Sequence, residues 1–362
     1  MSQAPPRAGL HWVRPQVRAL QAYAVTNPRG LIKLDAMENP YRWPDELIQP
    51  WLEGLRQVAI NRYPDPQATE LKGWLRAVMK VPAAFDLLLG NGSDELIQLI
   101  LLAVAAPGRT VLVPEPSFAM YRLLAVALGF NCIGVPLRAE DFALDQAAMV
   151  TAIRDHEPAV VFLAYPNNPT GNLWDPQQLC ELIEDAPGLV VIDEAYVAFA
   201  NASLMPELAR YANLLVLRTV SKLGLAGLRL GFLIGSAPWL AELEKVRLPY
   251  NINVLTQASA QFALQHYSVL QGQVECIVRD RQYVLTRLRA LPGVTAWPSC
   301  ANFILFRSLR RPANAVFDGL CEAGILVKNL DGSHPLLANC LRVSIGLPAE
   351  NAAFLEALAA LV

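Results

Sequence analysis

Charged side chains are scarce in this chain of 362 residues, where they make up 17% against about 25% in typical globular proteins. The 30 basic and 32 acidic residues nearly cancel to a formal charge of -2, so the chain lacks the basic field that nucleic-acid binding requires. Hydrophobic residues make up 54%, which argues against disorder or a coiled coil. Since the length is about two and a half times that of a usual domain, we expect two domains with a large buried core.

Long apolar runs are missing as well. The longest uncharged stretch, residues 248–274, is interrupted by proline, asparagine, histidine and glutamine, so no membrane span is predicted. Residues 1–20 contain no apolar segment of the signal-peptide kind, and a cytoplasmic location is expected. The six cysteines form no Cys-x-x-Cys pair and the four histidines have no metal-type spacing. We therefore predict neither a disulfide framework nor a metal site, and expect the cysteines to be small buried hydrophobic side chains.

Short β-branched apolar runs alternate with helix-like stretches through the middle of the chain. Continuously apolar runs are typical of parallel strands covered on both faces. They span residues 110–113, 159–163 and 189–193, and stretches of helical length span 94–106, 118–128 and 175–185. This alternation predicts a doubly wound, mostly parallel α/β domain, which we place at residues 46–245.

The pattern changes after residue 245. A long helical stretch at 254–291 precedes two apolar runs at 302–306 and 340–345, which predicts a smaller α+β domain at residues 246–362. Residues 1–45 are rich in proline and weakly periodic, so we expect an N-terminal arm that also contributes to the small domain.

Polar motifs stand where the apolar runs end, and open α/β sheets bind ligands beyond the carboxyl ends of their strands. The motifs are YPNNPTG at 165–171, DEAY at 193–196, RTVSK at 218–222 with glycines around Arg229, and GNGSDE at 90–95. Each has a structural alternative: Ser93 could be a helix N-cap, NNPTG a turn, Asp193 a cap and Lys222 a solvated charge. A structural role could explain any one of these four motifs, but it explains all four together less easily.

In this order the motifs resemble those of fold-type I pyridoxal-phosphate enzymes, the aspartate aminotransferase superfamily, over nearly the whole chain. The resemblance implies an α/β fold with pyridoxal 5'-phosphate as cofactor, joined covalently to Lys222. The cofactor phosphate would be held by Gly92 and Ser93 at a helix start and by Ser221 and Arg229 after a strand, and Asp94 is a further implied cofactor-binding residue.

The resemblance also assigns the residues around the cofactor ring. Asp193 would pair with the pyridine nitrogen, because a buried carboxylate keeps that nitrogen protonated and makes the ring an electron sink. Asn168 and Tyr196 would bond the phenolic oxygen, while Phe118 would stack on the ring face. Lys222, Asp193 and Tyr196 are the implied catalytic residues, with Lys222 also moving the proton of the reaction. We expect an unusual backbone conformation at the Asn168-Pro169 turn, where the sequence does not decide between a cis and a trans peptide bond.

Further segments resemble the histidinol-phosphate aminotransferases: LDAMENPYRWP, NRYPDP, ANFILF, GILVKNL and HPLLANCLRVSIG. That resemblance implies transamination of L-histidinol phosphate with 2-oxoglutarate in histidine biosynthesis, giving imidazole-acetol phosphate and L-glutamate. Arg342 would bind the substrate anion with Asn302 nearby, and Tyr23 would lie on the arm over the substrate. Lys328 stands where many members carry a second phosphate-binding arginine. Tyr63 would reach the cofactor phosphate of the neighbouring subunit, which implies a homodimer with shared active sites.

Other functions stay open on the same sequence. An aromatic amino-acid aminotransferase or a threonine-phosphate decarboxylase would have the same fold, and a non-catalytic binding module is a further alternative that intact Lys222, Asp193 and Arg229 argue against. Met37 departs from the motif, which usually has asparagine there. His334 follows a turn and lies close in sequence to Arg342, so a role beside the site is weighed against a structural one.

Overall fold

The structure, a computed structural model, describes residues 9–22, 26–28 and 30–362. Its strands are β1 Ile32–Lys33, β2 Asp86–Asn91, β3 Thr110–Glu115, β4 Asn131–Pro136, β5 Val160–Ala164, β6 Leu189–Asp193, β7 Leu214–Thr219, β8 Leu230–Gly235, β9 Val294–Ala296, β10 Phe303–Ser308, β11 Ile325–Leu326, β12 Lys328–Asn329 and β13 Cys340–Ser344. Its α-helices are α1 Pro15–Ala19, α2 Asp45–Arg56, α3 Thr69–Val78, α4 Ser93–Val104, α5 Ala119–Leu128, α6 Gln146–His156, α7 Pro176–Asp185, α8 Ala237–Glu244, α9 Val254–Gln265, α10 Tyr267–Arg289, α11 Ala313–Glu322 and α12 Pro348–Leu361.

A seven-stranded sheet in the order β2-β8-β7-β6-β5-β3-β4 forms the centre of the large domain. Only β8 runs antiparallel to its neighbours, and the other pairs along β7, β6, β5, β3 and β4 are parallel. Every residue of β5 and β6 is buried. Alternate residues of these strands face two separate cores, with Val161 and Leu163 in one and Val160 and Phe162 in the other. The continuous apolar runs therefore reflect a sheet that is covered on both faces.

A smaller sheet, β12-β13-β10-β9, is antiparallel throughout. The N-terminal segment joins this part of the molecule through β1, which pairs in parallel with β11. All seven strands of the large sheet lie within residues 46–245, and the four strands of the small sheet lie within 246–362. The domain boundaries themselves stay a prediction.

Three local expectations differ from the structure. The helical stretch predicted at 254–291 is two helices, because α9 ends at Gln265 and α10 begins at Tyr267. Gly92, at φ 85°, is the N-cap of α4, and Ser93 is the first helical residue. Of the six cysteines, only Cys340 is buried and the other five are half-buried, all as free thiols. In the described part of the chain, no helix is both long enough and apolar enough to cross a membrane.

Candidate active site

The carboxyl ends of β5, β6 and β7 and the start of α4 meet around one cavity, which we call the inner cavity. The strands run in parallel, so the residues that follow them reach the same edge of the sheet. The lining combines one amine, two carboxylates and several hydroxyl groups, and it consists of Met37, Ser93, Asp94, Phe118, Tyr121, Ala164, Pro166, Asn168, Asp193, Ala195, Tyr196, Thr219, Ser221, Lys222 and Arg229.

Lys222 lies in a short 3-10 helix, Ser221–Leu223, directly after β7. Its Nζ donates a 3.3 Å hydrogen bond to the carbonyl oxygen of Ala36 and lies 5.8 Å from the centroid of the Tyr196 ring. Desolvation, assisted by the positive charge of Arg342, lowers the pKa of the Lys222 amine to about 8. A neutral amine is a nucleophile and a base, so Lys222 is prepared for covalent chemistry with a carbonyl compound.

Asp193, the last residue of β6, is 5% exposed. Its Oδ1 accepts a 3.0 Å hydrogen bond from the amide of Ala195, and its Oδ2 accepts one of 2.6 Å from the hydroxyl of Tyr121. Burial raises the pKa of Asp193 to about 6, and these two hydrogen bonds oppose that effect. The carboxylate is thus fixed at the bottom of the cavity, where it can pair with a protonated ring nitrogen.

A chain of hydrogen bonds joins the inner cavity to the small domain. Nδ2 of Asn168 donates to the hydroxyl of Tyr196 at 3.2 Å, and Oδ1 of Asn168 accepts from Nη1 of Arg342. Arg342 also donates from Nη2 to the carbonyl of Asp35 at 2.9 Å, and its guanidinium lies 5.3 Å from the centroid of the Phe303 ring. The peptide bond between Asn168 and Pro169 is cis.

The start of α4 faces Arg229 across the cavity. The first amides of a helix have no partner within it, so this end attracts anions. Arg229, at φ 50°, points Nη2 toward Oδ2 of Asp94 at 3.6 Å. A Cβ at Gly92 would come within 2.5 Å of that same Nη2, so a side chain there would displace the arginine. Elsewhere in the lining, the hydroxyl of Thr219 donates to that of Ser221 at 2.9 Å.

A second, larger cavity, the outer cavity, opens beside the first and shares Met37, Phe118 and Asn168 with it. Lys328 and Arg342 both line it, and they are paired across β12 and β13, which places their side chains on the same face of the sheet. Both cations therefore line a cavity that adjoins the one containing Lys222, an arrangement suited to an anionic substrate.

Two of the predicted residues, Tyr63 and Asn302, line neither cavity. Tyr63 is 80% exposed and stacks on Tyr250, with the ring centroids 4.5 Å apart. Asn302 is buried and donates from Nδ2 to the carbonyl of Met37 at 2.9 Å, and it lines neither cavity. Its proposed place beside the substrate anion therefore stays a prediction. Tyr23 falls outside the described residues.

Sequence reasoning missed several residues of the site. Tyr121 stands three positions after Phe118, which is the spacing of one helix face, and this was the available signal. Met37, treated only as a departure from a motif, accepts a hydrogen bond at Sδ from the hydroxyl of Tyr196 at 3.3 Å. Glu115 lines the outer cavity, and no local sequence pattern indicated it, whereas His334, which the sequence suggested as a residue beside Arg342, lines the same cavity. In the described part of the chain, no group of three potential ligand side chains could hold a metal ion.

The donors and acceptors of the inner cavity fit pyridoxal 5'-phosphate. The cofactor presents an aldehyde, a basic ring nitrogen, a phenolic oxygen and a phosphate. The cavity offers the Lys222 amine, the Asp193 carboxylate and the Tyr196 hydroxyl, together with the Arg229 guanidinium beside the start of α4. One buried atom, Oδ1 of Asp94 at that helix start, accepts no hydrogen bond from the described residues.

Comparison with known proteins agrees with this geometry. Residues 29–358 match the family described as aminotransferase class I and II. The chain is 56% identical over 349 residues to histidinol-phosphate aminotransferase 2 of Nitrosococcus oceani, covering 96% of this chain and 97% of that protein. It is 53% identical over 354 residues to histidinol-phosphate aminotransferase 1 of Ralstonia nicotianae, covering 96% and 94%.

Among solved structures, the fold matches histidinol-phosphate aminotransferase from Sinorhizobium meliloti in complex with pyridoxal-5'-phosphate. The TM-score is 0.85 at 23% identity, and the match covers 99% of this chain and 98% of that one. This likeness confirms the predicted fold-type I architecture. A family match over most of the chain, and relatives more than half identical over 96% of it, show that the chain belongs to the class I and II aminotransferases.

Proposed function

We propose that this enzyme transfers the amino group of L-histidinol phosphate to 2-oxoglutarate, a step of histidine biosynthesis, with pyridoxal 5'-phosphate as cofactor. The observation that carries the substrate assignment is the pair of cations, Lys328 and Arg342, on adjacent strands of the outer cavity beside Lys222. The relatives named as histidinol-phosphate aminotransferases support the same substrate. A cytoplasmic location stays a prediction.

When bound, pyridoxal 5'-phosphate supplies the electron sink that makes the substrate α-carbon acidic. Lys222 would hold the cofactor through its Nζ, and its free amine would carry the proton that leaves the substrate α-carbon. Its lowered pKa makes this role possible, because a neutral amine is available near neutral pH. Asp193 would keep the ring nitrogen of the cofactor protonated, and Tyr121 holds Asp193 in place through its hydrogen bond.

Arg342 serves both half-reactions. Its planar guanidinium would donate forked hydrogen bonds to either the α-carboxylate of glutamate or the phosphate of histidinol phosphate. Asn168 orients the guanidinium from one side and the carbonyl of Asp35 from another, so the group is held before the substrate arrives. Lys328 adds a second positive charge for the phosphate.

The enzyme would act as a homodimer with shared active sites. Tyr63 and Tyr250 form a stacked aromatic pair on the surface, with Tyr63 80% exposed, and the hydrophobic side chains of Ile60 and Leu248 are also exposed. A second copy of the chain would cover this apolar surface and place the Tyr63 hydroxyl at the cofactor phosphate of its neighbour.

Half-reaction kinetics test the substrate assignment. The pyridoxal form of the purified enzyme is mixed separately with L-histidinol phosphate, L-phenylalanine, L-tyrosine and L-threonine phosphate, and loss of its visible absorbance is followed. We expect L-histidinol phosphate to give the highest ratio of limiting rate to dissociation constant. Faster conversion by an aromatic amino acid, or release of carbon dioxide from threonine phosphate without conversion by histidinol phosphate, would reject the proposed substrate.

A further inference from the structure

The charge pattern of the outer cavity contains one feature that anion binding does not explain. This cavity has a volume of about 390 Å³, and its described lining includes three strongly basic side chains, those of Arg122, Lys328 and Arg342, with a single carboxylate, that of Glu115. A cavity that served only anions would be better without that carboxylate, because it repels them.

The Glu115 carboxylate is firmly held. It ends β3, its side chain is 23% exposed, and its Oε1 accepts a 2.6 Å hydrogen bond from Nε of Arg122. Oε2 lies over Gly134 on the neighbouring strand β4, where a Cβ would collide with it. Arg122 is itself anchored through Nη1 to the carbonyl of Cys132 at 3.3 Å. A carboxylate has about four acceptor positions, so Glu115 keeps capacity for another donor.

His334 faces the same cavity with a complementary group. Its Nδ1 accepts the amide hydrogen of Leu336 at 3.2 Å, so the neutral ring carries its proton on Nε2. Burial lowers the pKa of His334, the Glu115 carboxylate acts in the opposite direction, and Arg122 lowers it further. The neutral ring therefore offers a donor at Nε2, while Glu115 offers an acceptor.

We propose that Glu115 determines substrate specificity by accepting a hydrogen bond from the imidazole N–H of the substrate while Arg342 and Lys328 hold the phosphate. This inference rests on the proposed function, which supplies a substrate with a phosphate at one end and an imidazole at the other. Neutral imidazole has one donor and one acceptor nitrogen, and Glu115 and His334 together match both. Glutamate has no imidazole, so its binding does not use this pair.

Substitution of Glu115 by glutamine is the central test. The decrease in visible absorbance during a single turnover of the holoenzyme gives a dissociation constant and a limiting rate for each amino donor. The donors are L-histidinol phosphate, L-glutamate and L-phenylalaninol phosphate, which replaces imidazole by phenyl. We expect Glu115→Gln to raise the dissociation constant for histidinol phosphate about tenfold, because a charge-assisted hydrogen bond becomes a neutral one, and to leave those for glutamate and phenylalaninol phosphate unchanged.

Glu184→Gln is the matched control, because it makes the same chemical change in a glutamate that pairs with Arg210 and lines neither cavity. It should change the dissociation constant for histidinol phosphate by less than about threefold. An equal rise for all three donors in Glu115→Gln, no rise for histidinol phosphate, or the same loss in Glu184→Gln would overturn the proposal.

The wild-type enzyme provides a test that needs no folded variant. It should favour histidinol phosphate over phenylalaninol phosphate by about tenfold or more in dissociation constant, and equal binding would reject the role of Glu115. Absence of any conversion by histidinol phosphate in the wild type would instead reject the proposed function, so the two failures can be told apart.

Discussion

The hydroxyl of Tyr121 donates a 2.6 Å hydrogen bond to Oδ2 of Asp193, and both side chains are buried, Tyr121 completely. The same carboxylate receives the amide hydrogen of Ala195 on its other oxygen. Asp193 is therefore held at both oxygens in surroundings that otherwise favour its neutral form. The neutral hydroxyl of Tyr121 thus donates to the Asp193 carboxylate, whose negative charge the cofactor ring needs. Two predictions concern this contact.

Tyr121→Phe should weaken the cofactor site without emptying it. Loss of the hydroxyl removes a hydrogen bond that lowers the pKa of Asp193, so that pKa rises further and the acid limb of kcat/KM moves to higher pH. The dissociation constant of pyridoxal 5'-phosphate, measured by equilibrium titration of the cofactor-free protein, should rise about 3- to 10-fold. Tyr211→Phe is the control, since Tyr211 donates to Glu184 at 2.9 Å and lines neither cavity. Equal effects of both changes would contradict a specific role.

Asp193→Asn should stabilise the cofactor-free protein at pH 8. The pKa of Asp193 is about 6 in the folded protein, against 3.8 in the unfolded chain. The contribution of Asp193 to the free energy of unfolding therefore falls as the pH rises between these two values. Above this range the folded protein carries a buried charge that costs about 3 kcal/mol, which asparagine removes. Urea unfolding at pH 8 measures the difference.

The neighbouring acid supplies the opposite control for that experiment. Glu194 is fully buried, and its Oε2 accepts hydrogen bonds from Nε and Nη2 of Arg218 at 2.9 and 2.7 Å. Glu194→Gln leaves the Arg218 charge without its partner and should lower the free energy of unfolding by about 3–5 kcal/mol. If Asp193→Asn instead lowers the free energy of unfolding, hydrogen bonds compensate the buried charge of Asp193 more fully than its raised pKa indicates.

The rate at which the cofactor attaches to Lys222 should depend on pH. The neutral amine is the nucleophile, so the rate of covalent reconstitution should rise about tenfold per pH unit below pH 8 and level off above it. Arg342→Gln removes a positive charge that lowers the pKa of Lys222, and the midpoint should move to higher pH. A midpoint near pH 10.5 in the unaltered protein, the ordinary value for lysine, would contradict this account.

Lys222→Ala should abolish turnover and the visible absorbance of the attached cofactor, because no other described amine lines the inner cavity. Lys245→Ala is the matched control, since this lysine is exposed and pairs with Glu242 at 2.6 Å. Normal turnover in Lys222→Ala would refute the mechanism.

Lys328 provides a test of phosphate recognition. Lys328→Gln should raise the KM for histidinol phosphate about tenfold and change that for glutamate much less, because only the former carries a phosphate. Lys328→Arg keeps the charge and should retain most of the affinity. Parallel changes for both donors in steady-state assays would indicate a role in folding of the β12–β13 pair instead.

Complementation tests the shared active site. Lys222→Ala and Tyr63→Ala are each expected to lose most activity, and mixed dimers would contain one site with both native residues. Co-refolding equal amounts should restore about a quarter of wild-type activity, since half of the dimers are mixed and one site in two is intact. No recovery, with mixed dimers shown to be present, would indicate that Tyr63 does not act across the interface.

The strands of the large sheet could be predicted from sequence because burial on both faces requires continuous apolar runs, as in β5 and β6. Residues that follow those strands, such as Asp193 and Lys222, could be placed in one site because parallel strands end at one edge. The break at His266 was missed because the apolar pattern continues on both sides of it.

The sequence by itself determined the family, the fold class and the cofactor, since these depend on local motifs and on their order. Only the tertiary structure decided which side chains complete the site. Tyr121 reaches Asp193 across 72 positions and Arg342 reaches Asn168 across 174. The chain has few charged residues, and those in the two cavities depend on neighbouring side chains for their chemistry. Tertiary packing, rather than sequence spacing, brings these neighbours into contact.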